Sequence, residues 1–132
     1  MVKSQSESVQ LVINKLTMEK HSSIFSVKNA NEERHTLISC DTGNFYVIFK
    51  RDFFNSFGKI FNEMGVGESC NSEALMFAEK NKANLLFVYT DGKVYTISSS
   101  LFKKLAEDNK WIRQTKADER TYSIPLKYLT RW

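Results

Sequence analysis

The residues best placed for chemistry close an apolar run. Residues 44–52, NFYVIFKRD, read as a strand rich in aromatic and β-branched side chains, suited to burial on both faces, and the run ends on Lys50, Arg51 and Asp52. A strand-end lysine has two readings. It can snorkel its ammonium to solvent, or, beside acids, it can stabilise charge that develops during a reaction. The acids to consider are Asp52, Glu32 and Glu33 in the polar turn NANEER, Asp41 in DTGN, and Glu7 near the N-terminus. Each also has a structural reading. Asp52 can cap a helix beginning FF, Asp41 suits a turn, Glu32 and Glu33 suit solvent, and Glu7 completes a capping box with Ser4.

Other chemistries find little support. Cys40 and Cys70 lack CxxC spacing and form no metal pattern with His21 and His35. They suit small buried apolar roles, with a Cys40–histidine nucleophile as the weaker alternative. Gly65 and Gly67 in MGVGES lack the lysine and preceding strand of a phosphate loop.

Charge is unevenly placed. Of the net +4, residues 1–109 contribute nothing, because 13 basic and 13 acidic side chains cancel. The excess lies in Lys110, Arg113, Lys116, Arg120, Lys127 and Arg131, against Asp118 and Glu119. These cations interleave with Trp111, Tyr122, Tyr128 and Trp132. That pattern suits a polyanion, since cations meet phosphates and rings stack on bases. It equally suits a solvated strand margin protected by Lys and Arg.

The elements that must position these residues follow from periodicity. At 132 residues and 42% hydrophobic, the chain suits one domain, 1–132, with one core. No apolar run approaches the roughly 20 residues of a membrane span. The polar start MVKSQSESVQ resembles no signal peptide, so a cytoplasmic location is expected. Residues 4–20 read as a helix with Val9, Val12, Ile13 and Leu16 on one face. Three strands follow over 23–50. Residues 53–64, with Phe53, Phe54, Phe57, Ile60, Phe61 and Met64, read as an amphipathic helix, and VGESCN as a loop. A helix capped by Asn71 or Ser72 comes next, then an Asp91-Gly92 hairpin of type I′, a short helix, and two edge strands around KADER. The order is α-βββ-α-α-ββ-α-ββ: α/β (or α+β), a single mixed sheet flanked by helices.

In that order NFYVIFK occupies a third strand, SEALMFAEKNKANLLFVYTD a helix and strand after it, and YSIPLKYLTRW a closing strand. The arrangement resembles the PD-(D/E)XK, or restriction-endonuclease-like, superfamily, including archaeal Holliday-junction resolvases and tRNA-splicing endonucleases. The resemblance implies a divalent metal, Mg or Mn, held by two carboxylates, with a lysine beside them. Lys50 matches the lysine of the acid-x-Lys pattern. Ile48 stands where its acid belongs. The resemblance would make Glu33 (or Glu32) and Asp52 metal ligands and Glu7 an assisting acid.

Three functions are weighed. The first is a nucleic-acid-binding protein, DNA the expected partner, with a degenerate nuclease site. Its cations would be Arg113, Lys116, Arg120, Lys127 and Arg131, with Trp111 or Tyr122 stacking. The second is a metal-dependent endonuclease with a displaced acid. The third is a homodimeric assembly protein joined through residues 53–61. No membrane partner is expected.

Overall fold

The computed structural model describes residues 1–30, 34–50, 67–114 and 120–132. Helix α1 (Gln5–Asn14) begins at Ser4, whose hydroxyl accepts from the Glu7 amide at 3.2 Å. Glu7 answers by accepting from the Lys3 amide and the Ser4 hydroxyl, a variant of the capping box whose return bond reaches one residue before the N-cap. A π-helical turn (Lys15–Glu19) continues it, and His21, at φ +52, turns the chain out of the helix.

Strands β1 (Ile24–Ala30), β2 (His35–Cys40) and β3 (Gly43–Lys50) form the expected antiparallel meander. After β4 (Gly67–Asn71) comes α2 (Ser72–Lys80), capped by the Asn71 carboxamide accepting from the Ala74 amide at 2.7 Å. Next are β5 (Asn84–Tyr89), β6 (Val94–Ser98) and α3 (Ser99–Asp108). Strands β7 (Ile112–Gln114) and β8 (Arg120–Pro125), a 3₁₀ turn (Leu126–Tyr128) and β9 (Thr130–Arg131) complete the chain. The amphipathic segment 53–64 and the proposed dimer surface 53–61 lie outside the described residues.

The six-stranded sheet has the order β1-β2-β3-β5-β6-β9 and is mixed, because β3 and β5 run parallel. Helices α1, α2 and α3 flank it, so the expected α/β architecture stands. A second sheet, β4-β8-β7, was not expected. The terminal pair leaves the main sheet, and VGESCN supplies a strand rather than a loop. Its Gly, Glu, Ser and Asn carry weak strand preference, so pairing with β8 from Glu68↔Ile124 to Asn71↔Thr121 imposes the extended form. The Asp91-Gly92 hairpin also differs in type. Only Gly92 takes a positive φ (+87), and its amide closes a turn onto the Tyr89 carbonyl at 2.9 Å. A type I′ turn needs two such residues.

The main sheet separates two apolar layers. Phe45 and Val47 of β3 join Val12 and Leu16 beneath α1. Tyr46 and Ile48 join Leu75, Ala78, Phe87, Phe102 and Ile124 on the other face. Period-2 alternation sends Lys50 to that second face.

Candidate functional site

Lys50 pairs in register with Tyr89 at the C-terminal end of the parallel β3–β5 pair, which puts both side chains on one face. Into this end β4 brings Glu68, which is fully buried. The Tyr89 hydroxyl donates to Glu68 Oε2. Lys50 Nζ lies 3.5 Å from Glu68 Oε1 and donates to the Ser69 carbonyl at 3.0 Å. Its ammonium is also 5.8 Å from the Phe87 ring centroid. An acid from another strand thus stands beside Lys50. Ile48 itself is a core residue, 3% exposed.

The end of β3 is held by a side chain the sequence reading passed over. Pairing of β2 with β3 stops at Thr36↔Val47. Gln5 fills the gap, its amide donating to the Val47 carbonyl at 2.9 Å and accepting from the Phe49 amide at 3.0 Å. One carboxamide there does the work of an absent strand and fixes the backbone from which Lys50 projects.

Burial dominates the electrostatics. It raises the Glu68 carboxyl above its ordinary range, against the pull of Lys50, the Tyr89 hydroxyl and the Ser69 backbone. Tyr89 is likewise raised, by burial and then by the Glu68 charge. Beside them the Tyr46 hydroxyl and His35 Nδ1 share a hydrogen bond of 2.8 Å, with the imidazole tautomer setting the donor. Burial, then Lys50 and Arg34, lowers His35 to about 4, so its ring is neutral at physiological pH. The Cys70 thiol is pushed up to about 12 by burial, which makes it an inert packing group. Cys40 is also buried and free.

Glu33, Glu32 and Asp52 lie outside the described residues. Glu7 sits in its capping box on the α1 side, with the sheet between it and Lys50. Among the described residues no group of three His, Cys, Asp or Glu side chains could hold a metal ion. Among the described residues the acid beside Lys50 is Glu68, which is engaged by Lys50 and Tyr89. Among the described residues, one carboxylate stands beside Lys50 where a Mg or Mn centre of this kind uses two. Glu68 escaped the sequence reading because a lone acid between Gly67 and Ser69 carries no periodic signal.

The basic residues spread over both sheets. Arg113 on β7 and Arg120 on β8 are exposed on the smaller one. Lys116 lies outside the described residues. Lys127 is exposed in the 3₁₀ turn, and Arg131 lies on β9, its guanidinium 5.8 Å from the Tyr95 ring centroid. Trp111 and Tyr122 do not offer stacking surfaces, because both rings are buried in the core. Trp111 instead backs Tyr128, with ring centroids 6.3 Å apart, and Tyr128 is exposed.

A six-stranded mixed sheet flanked by three helices defines a mixed α/β architecture of nuclease-like form. Among solved structures the chain is similar to a nuclease from a fusselovirus, with a TM-score of 0.52 and 14% identity, over 94% of this chain and 80% of that one. At that identity the likeness is one of fold. No family model matches the chain, and no curated protein does. Among the described residues, no helix is long and apolar enough to cross a membrane.

Proposed function

We propose that this chain binds nucleic acid, DNA foremost, on a restriction-endonuclease-like frame without cutting it. The observation that carries this reading is the closed Lys50–Glu68–Tyr89 cluster. The lysine is spent on a buried carboxylate and a backbone carbonyl, and Ile48 fills the position of its metal-holding acid. A lysine so held is poorly placed to stabilise a reacting phosphate. Support for the polyanion comes from the exposed cations Arg113, Arg120, Lys127 and Arg131. The test is duplex and junction DNA binding measured against salt. Binding that weakens steeply as salt rises is expected, and absence of binding at low salt removes the reading.

One observation favours a second reading, an endonuclease with a displaced acid. Among the described residues, Glu68 Oε1 has no hydrogen-bond partner beyond its ion pair with Lys50. In this reading Glu68 replaces the acid lost at position 48. It requires Mg- or Mn-dependent cleavage that disappears in both Lys50→Ala and Glu68→Gln.

A further inference from the structure

Away from the Lys50 cluster, a groove of about 350 Å³ opens where β9 and the 3₁₀ turn meet the ends of β5 and β6. Phe45, Leu101, Tyr128 and Trp132 supply its apolar walls, and Asn84, Thr96, Ser98 and Thr130 its polar groups. Two of those are already engaged: the Thr96 hydroxyl donates to the Leu85 carbonyl, and the Ser98 hydroxyl accepts from the Leu101 amide. Among the described residues nothing hydrogen-bonds the exposed Asn84 carboxamide or the Thr130 hydroxyl, so both are available to a ligand.

The aromatic walls are braced. Trp132 lies against Phe45 at 5.8 Å between centroids, and Tyr128 against the buried Trp111 at 6.3 Å. Cations rim them. Lys15 Nζ and Lys20 Nζ stand 5.0 Å and 4.7 Å from the Trp132 ring centroid, and Lys127 Nζ is 5.3 Å from that of Tyr128. Lys15 also donates to the Trp132 carbonyl at 2.6 Å, which ties the π-helical turn to this wall.

Braced rings, a volume of small-ligand size, free amide and hydroxyl groups, and cations beside the rings together select a flat, hydrogen-bonding aromatic that carries phosphate. The geometry points to the Tyr128–Trp132 groove as a binding site for one base of a single-stranded nucleic acid. The base lies against Tyr128 or Trp132, Asn84 and Thr130 meet its edge, and Lys20 and Lys127 meet the neighbouring phosphates. This rests on the nucleic-acid reading above and adds a strand form and a site distinct from the cations of β7 and β8.

The experiment titrates a fluorescently labelled oligothymidylate of about a dozen nucleotides into the full chain at low salt. A labelled duplex runs in parallel. Base–aromatic stacking predicts that Trp132→Ala and Tyr128→Ala each weaken single-strand binding about 5- to 100-fold. Lys20→Ala should weaken it less and flatten its salt dependence by at most about one ion. Duplex binding should hold in all three variants. Trp132 is only partly exposed, so Trp132→Phe is the control for folding and should restore most of the binding. Tyr128 and Lys20 are exposed, which lets those variants decide the question if Trp132→Ala unfolds. Duplex binding with single-strand binding absent, or unchanged in every variant, overturns the groove alone. Loss of both overturns the nucleic-acid reading with it. Thymidine monophosphate binding as tightly as the oligonucleotide, with the same sensitivities, assigns the groove to a free nucleotide and overturns the strand.

Discussion

The Lys50 end of the sheet and the Tyr128–Trp132 side use the same residue types to opposite ends. At the first, a lysine and a tyrosine both engage one buried acid. At the second, lysines and rings face solvent with polar groups left open. A charge costs most where it is buried, so the first arrangement must close on itself. The second is open to water on its outer side and can exchange that water for a ligand. Chemistry-bearing residues in a nuclease-like frame thus need not mark the place where a ligand binds.

The largest effect that sharpens this contrast is expected from Lys50→Ala. Removing the cation leaves Glu68 buried without its ion-pair partner, and the loss should reach about 2–4 kcal/mol of unfolding free energy, allowing for the partial exposure of Lys50. Urea denaturation measures it, and duplex binding by the folded fraction should be unchanged. A variant as stable as the parent but unable to bind DNA would reverse the assignment of the two regions.

Next comes the surface. Arg113→Glu with Arg120→Glu should weaken duplex binding about ten- to a hundredfold and lower the salt slope by about two. Anisotropy titrations across salt concentrations read both quantities. An unchanged slope would take β7 and β8 out of the interface.

His35 gives a smaller, pH-dependent effect. Its folded value of about 4 lies below its ordinary 6.5. Its contribution to stability is therefore complete above the ordinary value and is lost as pH falls toward the folded one. With discounting for partial exposure, about 1–2 kcal/mol should disappear over that window. His35→Gln should flatten this part of the stability profile.

The smallest effect concerns Glu68 and has the opposite sign. Its carboxyl is raised above 4.5, so its contribution is present below that value and is lost as pH rises through the folded one. Glu68→Gln keeps an acceptor for Tyr89 and removes the charge. Its stability relative to the parent should improve with pH, and a steady decline with pH would mean that the ion pair outweighs burial.

The frame was legible where periodicity spoke. The capping box of α1, the 23–50 meander, the Asn71 cap and the β5–β6 hairpin all follow from local pattern, and all were found. What local pattern could not reach is long-range. GESCN looks like a loop until β8 pairs with it, and Glu68 looks solvated until β4 turns it inward. Trp111 and Tyr122 sit among cations in the chain, yet the packing of the smaller sheet takes both rings into the core. Gln5 reads as one more polar residue of a helix, because its role depends on two strands separating more than 40 residues later. Lys50 illustrates both sides: strand pattern found its place, and only tertiary structure supplied its acid.

The most direct test of the central claim follows binding and strand integrity in the same samples. Labelled duplex, junction and single-stranded DNA are incubated with the chain at low salt, with and without Mg or Mn. Retention that falls as salt rises, with every strand intact under both metals, is the predicted result. Metal-dependent cutting that vanishes in Lys50→Ala and Glu68→Gln would contradict it and establish the displaced-acid endonuclease in its place.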